Sequence, residues 1–230
     1  MVLIFILLLA IFGFILTSIL LPKSFPAFIS KQMTGKDLLK KQTPIIPESS
    51  GLVLGLVYFS LIFLLIPLIP ISSLSLFLAA LLSLFSMLFL GFADDILDIR
   101  WRVKIWLPLI ASIPLLAVYF NMYGLDRTFV LVPKIFIPIF STKLLHLSYF
   151  YYIYMASLCV FTTNSINILA GVNGVEGGQA IVIATSIAIT NYIRMQSGDG
   201  TALIAHGLSF SLLVPFIGVT FAYLRYNKLT

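Results

Sequence analysis

Three short stretches of this chain hold most of the side chains able to do chemistry. The first is GFADDILDIRWRVK, residues 91–104. If a helix runs through it, Asp94 and Asp98 share a face at i, i+4, and Asp95 points about 100° away. Carboxylates clustered in this way either bind a divalent cation or raise one another's pKa. A helix end followed by the membrane-flanking cations Arg100, Arg102 and Lys104 accounts for the same residues without any ligand.

The second stretch is TNSINILAGVNGVEGGQ, residues 163–179. Asn164 and Asn167, at i, i+3, can face one site, and Gly171, Gly174, Gly177 and Gly178 let the backbone approach a ligand closely. Amides, glycines and a single carboxylate, Glu176, suit a neutral-to-anionic ligand. Asparagine is a fair oxygen ligand for a cation when phosphates complete the shell. A glycine-rich connector with an asparagine cap is the plainer alternative. A Walker-type phosphate loop is excluded, because no Gly-Lys-Ser/Thr follows the glycines. The third stretch, KDLLKKQTPIIPESSG at 36–51, places Glu48 just ahead of an apolar run, where a carboxylate can meet the backbone amides of a helix start.

The elements that must position these residues are membrane helices. The 230 residues are 60% hydrophobic and only 10% charged, with a mean hydropathy of +1.12, which excludes an ordinary water-soluble fold, disorder and fibrous architectures. A spanning helix needs about 20 apolar residues. Stretches at 2–22, 105–120, 147–163, 178–193 and 204–224 qualify. The uncharged run 52–93 divides into two more at Pro67, Pro70 and the Ser72-Ser73 pair, so the fold class expected is all-α and polytopic with about seven transmembrane helices. With the N-terminus outside, ten of the fourteen lysines and arginines lie on the cytosolic side, leaving Arg127, Lys134, Lys143 and Arg194 opposite. All three polar stretches then share the cytosolic face. In the long outer loop, TFVLV and KIFIPIF on either side of Pro133 suggest a small apolar β-hairpin on the membrane surface.

Several other chemistries drop out. One cysteine, Cys159, rules out an internal disulfide or a multi-thiolate metal site. His146 and His206 lie away from the cytosolic acids, which leaves Ser/His/Asp catalysis without support. A transporter would carry ionisable groups near the bilayer midplane, and no lysine, arginine, aspartate or glutamate falls inside an expected span. The net charge of +6 is accounted for by membrane topology, so the partner is a lipid bilayer and not nucleic acid.

Read jointly, IPESSG, GFADDILDIRWRVK and NSINILAGVNGVEGGQ, in that order and on one face, resemble the polyprenyl-phosphate N-acetylhexosamine-1-phosphate transferase family, and most of all its eukaryotic branch, from residue 2 to about 225. The resemblance implies transfer of GlcNAc-1-phosphate from UDP-GlcNAc to dolichyl phosphate, giving GlcNAc-diphospho-dolichol and UMP, the step that starts asparagine-linked glycan synthesis. It further implies a phosphotransferase in the endoplasmic reticulum membrane, with a cytosolic site and Mg2+ as cofactor. Asp94, Asp95 and Lys104 would be catalytic and Asn167 a magnesium ligand. Leu38 (through its backbone), Gly171 and Asn173 would surround the uracil. Glu48 would lie near the nucleotide sugar and Asp98 beside the donor site, and Glu176 would support its loop. Partners implied are UDP-GlcNAc, dolichyl phosphate, the bilayer, and a second copy or other glycosylation-pathway subunits.

Members of that family carry a Gly-Asp-containing cytosolic loop and a basic loop after the seventh span, and this sequence stops at YLRYNKLT. Residues 1–230 are therefore expected to be a single integral membrane domain, the N-terminal part of a transferase that normally continues. The competing expectation is an inactive truncated or regulatory membrane subunit that associates with a full-length transferase.

Overall fold

The computed structural model describes residues 2–36, 45–140, 142–169, 172–197 and 200–227. The first helix, α1 (Val2–Ser30), continues through Pro22 and Pro26, well past the apolar segment expected to span. Its buried residues Ile6, Leu9, Gly13, Thr17 and Leu21 recur every three or four positions and form a single inward stripe. A short antiparallel hairpin follows, β1 (Thr34–Lys36) with β2 (Ile45–Pro47), in the register Thr34↔Pro47 and Lys36↔Ile45.

The run 52–93 divides as its prolines require. Helix α2 (Gly51–Phe63) stops four residues before Pro67, whose ring would clash with the Phe63 carbonyl in a continuing helix. A 3-10 turn at Ile66–Leu68 then leads through Pro70 into α3 (Ile71–Leu97). After a single turn, α4 (Trp101–Lys104), the chain re-enters the bundle as α5 (Leu107–Tyr123). Pro114 interrupts the hydrogen-bond ladder of α5, and the neighbouring Leu115 N–H donates to Ser83 Oγ of α3 at 3.2 Å.

The loop between α5 and the next spanning helix does hold a hairpin, but its second strand differs from expectation. Strand β3 (Phe129–Leu131) pairs with β4 (Leu144–His146), in the register Phe129↔His146, while KIFIPIF forms a 3-10 turn at Lys134–Phe136 and the short helix α6 (Ile137–Phe140). Pro138 explains the substitution: it cannot donate to a strand ladder but is at home in a helix's first turn. The chain returns as α7 (Phe150–Leu169), α8 (Val175–Ser197) and α9 (Gly200–Leu224).

Helix α9 packs along both α8 and α1, α2 closes against α1 and α9, and α3, α5 and α7 follow side by side. The main apolar core gathers Ile6 and Leu9 with Val57, Leu61 and Ile62 of α2, Phe77 and Leu81 of α3, and Val214 and Val219 of α9. At the α1–α9 seam the backbones approach so closely that a Cβ on Gly218 would lie 2.2 Å from the Ala10 carbonyl oxygen, the small-residue contact typical of membrane helices.

Among the described residues, six helices are long and apolar enough to cross a membrane: Val2–Ser30, Gly51–Leu68, Ile71–Leu97, Trp101–Tyr123, Phe150–Leu169 and Leu203–Leu224. This is a multi-pass membrane protein built from helices, with two small sheets among the described residues. The expected seventh span, 178–193, lies within α8, which has the length but less hydropathy, carrying Gln179, Ser186, Thr190 and Asn191. Ser186 and Thr190 are exposed and satisfy their hydroxyls on carbonyls one turn back in the same helix, at 2.8 and 2.9 Å, whereas Asn191 turns inward and bonds α9.

Candidate active site

At Asp98 the third helix ends in a left-handed residue, φ 45°, whose N–H still bonds the Asp94 carbonyl at 2.9 Å. Aspartate is among the few side chains that enter this region readily. The reversal is sharp enough that the turn of α4 doubles back on α3, and Lys104 Nζ forms an ion pair with Asp94 Oδ2. The other oxygen of Asp94, Oδ1, is buried and has no hydrogen-bond partner among the described residues.

Beside this pair, Asp95 faces Ser49 from the start of α2. Ser49 is buried, with a left-handed φ of 59°. The two side chains are close enough to interact electrostatically, although the Ser49 hydroxyl makes no hydrogen bond of normal geometry. The preceding residue, Glu48, does not cap α2. Its N–H extends the β1–β2 pairing to the Met33 carbonyl at 3.0 Å, and its carboxylate lies over Gly35, where a Cβ would fall 2.0 Å from Oε1.

The first turn of α8 brings Glu176 within electrostatic range of Asp95. Burial, and then the negative charge of Asp95, push the Glu176 carboxyl above the usual range. Tyr223, near the end of α9, lies beside Glu176. The Glu176 loop opens with a tight turn, Val175 N–H to Val172 O at 3.1 Å, with Gly174 at φ 82° in the third position and Asn173 at the corner before it. A turn of this shape requires glycine there.

Asn164 reaches across to the other face of the cluster. Its amide donates to Val160 O at 2.8 Å and to Ile105 O, next to Lys104, at 3.4 Å. Asn167, exposed, lies three residues further along the same side of α7, about 4.5 Å along the helix axis. An apolar groove of about 670 Å³ runs between α5 and α7, lined by Trp106, Leu109, Ile153, Val160 and Phe161 and reaching Ile105 and Asn164 at its polar end.

Of the expected site residues, Asp94, Asp95, Lys104 and Glu176 come together, with Asp98 as the hinge that makes the pairing feasible. Glu48 sits on the adjoining hairpin, and Asn173 on the turn leading to Glu176. Leu38 and Gly171 lie outside the described residues. Sequence reasoning gave no site role to Gly35, Ser49, Tyr223 or Asn227, which join the cluster through contacts between distant segments.

Among the described residues, no three histidine, cysteine or acidic side chains are grouped to hold a metal by themselves. Even so, a buried carboxylate oxygen without a partner, and acids in excess of the lysine that pairs with one of them, are donors suited to a hard cation that takes the rest of its shell from phosphate and water.

Acidic and cationic groups lie within reach of a glycine turn and, through Ile105, of an apolar groove in this membrane bundle. Residues 77–230 match glycosyl transferase family 4, and the chain belongs to that family. It is 40% identical to the UDP-N-acetylglucosamine–dolichyl-phosphate N-acetylglucosaminephosphotransferase of Schizosaccharomyces pombe over 95% of this chain and 55% of that protein. Its identity to the enzyme of the same name from Saccharomyces cerevisiae is 36%, over 94% of this chain and 54% of the relative. A more distant likeness, 25% identity over 60% of this chain and 42% of the other protein, is to the phospho-N-acetylmuramoyl-pentapeptide-transferase of Desulfitobacterium hafniense. The chain thus spans about half the length of the curated relatives it matches.

Proposed function

We propose that this chain forms the donor and acceptor site of a UDP-GlcNAc:dolichyl-phosphate GlcNAc-1-phosphate transferase, facing the cytosol from the endoplasmic reticulum membrane. The observation that carries the reading is the meeting of the Asp94–Lys104 pair with Asp95 and Glu176, one residue from Ile105, which lines the apolar groove between α5 and α7. Few substrates need both. A dolichyl tail fits the apolar walls of the groove, and its phosphate would emerge beside Ile105 and Lys104, where a water-borne nucleotide sugar can reach it.

In the reaction, an oxygen of the lipid phosphate attacks the β-phosphorus of UDP-GlcNAc, the bond to the α-phosphate oxygen breaks, and UMP departs with the electron pair. Two anions must be held together, so cationic groups dominate the chemistry. Lys104 is the cation for the phosphates, and Asp94 holds its ammonium at the site. A phosphate monoester is largely deprotonated near pH 7, its second pKa being about 6, so Asp94 and Asp95 are not required as bases. They shape the acceptor phosphate's pocket and restrain Lys104. Asn167, with phosphate oxygens, is the residue to hold Mg2+, which when bound would neutralise charge on the pyrophosphate and the leaving group. Asn173, Gly171 and the Leu38 backbone are assigned to uracil recognition, Glu48 to the sugar and Asp98 to the edge of the donor site. A homodimer, or association with other subunits of the glycosylation pathway, belongs to this reading.

The test is a reconstituted assay with purified chain, Mg2+, labelled UDP-GlcNAc and dolichyl phosphate. GlcNAc-diphospho-dolichol with matching UMP, lost on chelation, is the expected result. If nucleotide sugar neither binds nor reacts, the reading fails in favour of a scaffold subunit. Product that appears only when a longer transferase is added points to the same alternative. Orientation is checked on a Cys159→Ser background with Arg100→Cys, which should react with an impermeant thiol reagent from the cytosolic side.

A further inference from the structure

The turn that carries Asn173 is held by a residue far away in the sequence. Its closing bond uses the Val175 N–H, and the Gly174 carbonyl accepts the first helical bond of α8, from Gly178 N–H at 2.9 Å. That leaves the Gly174 N–H, which donates to Asn227 Oδ1 at 2.9 Å. Asn227 in turn uses its amide nitrogen on the Tyr223 hydroxyl oxygen, one turn back and beside Glu176. The next side chain along, Tyr226, donates to the Ser18 carbonyl of α1 at 2.9 Å and sets its ring edge-on to Phe25 at 6.1 Å. The end of α9 is thereby anchored on α1 and grips the glycine turn from that anchor. The fit is close: a Cβ on Gly174 would meet the Asn227 carbonyl oxygen at 3.2 Å, and one on Gly177 would meet Leu224 at 3.2 Å.

We propose that Asn227 is a positioning residue for the nucleotide-binding turn, fixing Gly174 through its amide oxygen so that Asn173 and Glu176 are presented together to the nucleoside end of a uridine diphosphate ligand. This rests on the function proposed above. The chemistry selects asparagine or a close mimic. The position must accept from a backbone N–H while also pairing with a tyrosine hydroxyl, and aspartate can do the same because Tyr223 O–H can turn to donate to it. Leucine, similar in volume, can do neither and leaves the Gly174 N–H without its partner.

The experiment uses the full chain in detergent or nanodiscs, with UDP as the probe. In Asn227→Leu, amide exchange across residues 172–178 should speed up at least about tenfold, with α8 from 182 to 195 unchanged, and the UDP Kd should weaken about tenfold, as for one lost hydrogen bond. Asn227→Asp should stay within about threefold of the parent in both readouts. Tyr226→Phe, which removes the Ser18 bond but keeps the ring against Phe25 and so most of the anchor on α1, should stay within about threefold of the parent in UDP Kd. Should Asn227→Leu fail to fold, Asn227→Ala removes the same amide oxygen with a smaller side chain and is read in the same way. Parent-like exchange of the turn in either disrupting variant overturns the clamp. A loosened turn with unchanged UDP affinity overturns the positioning role. If UDP binds to no variant and not to the parent, the nucleotide reading itself falls, whatever the exchange data show.

Discussion

Lys104 is paired with Asp94 because the left-handed Asp98 between them turns the chain back on itself. Without the lysine, Asp94 would be a partly buried carboxylate with one oxygen already lacking a partner, beside Asp95 and, through it, Glu176. If the chain acts as proposed, Lys104→Ala should therefore lower turnover at least about tenfold, the scale on which removal of one preorganised charge-stabilising donor is felt. The rate of labelled GlcNAc transfer to dolichyl phosphate is the measurement. Near-parental turnover would remove Lys104 from the phosphates.

Gly35 is the position over which Glu48 lays its carboxylate, with no room for even a methyl group at the present geometry. The obstructing atom is the end of a flexible, exposed side chain, so Gly35→Ala should leave folding intact and displace Glu48 instead. If Glu48 contacts the nucleotide sugar, the KM for UDP-GlcNAc should rise about three- to tenfold, as for one lost hydrogen bond, with kcat little changed. The double variant with Glu48→Gln should then be no worse than Glu48→Gln alone. Additive losses would separate the two residues.

Glu176 carries a carboxyl whose pKa is raised in the folded chain, first by burial and then by Asp95. Between its ordinary value of 4.5 and that raised value, the folded state binds more protons than the unfolded one, so stability falls as pH rises through the interval and stays lowered above it. Glu176→Gln abolishes this contribution. The variant should gain thermal stability over the parent at pH 7.5, and the gain should shrink toward zero as pH drops to about 4.5. Differential scanning of both proteins in one detergent decides it. A gap between them that does not change with pH would place the effect in packing.

Much of this site was legible because its chemistry is written in contiguous runs. Asp94 to Lys104 is one segment whose helix end and flanking cations follow from the order of residues, whereas the left-handed reversal at Asp98 that lays Lys104 on Asp94 does not. The prolines at 67 and 70 likewise divide a long apolar run in the only way their missing N–H groups allow. What escaped is non-local. Nothing in YLRYN announces that Asn227 grips Gly174, because the bond joins the ends of two helices. Alternation in KIFIPIF looked like a strand until Pro138 is weighed as a missing donor, and the less conspicuous LLH took its place. Among the polar residues of α8, Asn191 turns inward for a reason visible only when α9 is laid beside it.

Asn191 is the centre of that inward polarity. It is 5% exposed and spends both ends of its amide on α9: Nδ2 donates to Ser209 Oγ at 2.7 Å, and Oδ1 lies 2.8 Å from His206 Nδ1. With the amide oriented in this way Oδ1 can only accept, so His206 carries a proton on Nδ1. Asn191→Ala strips two partners at once inside an apolar interface, where water cannot replace them. Hydrogen bonds between membrane helices are individually modest, since the unfolded reference state also finds partners. The combined loss is still expected to be about 1–2 kcal/mol, more than Ser209→Ala, which frees one group and leaves Asn191 held by His206. Combining Asn191→Ala with His206→Ala should cost less than the sum of the single changes, because the second removes a group the first had already orphaned. Strict additivity in thermal or denaturant unfolding would mean that α8 and α9 are held by apolar packing alone.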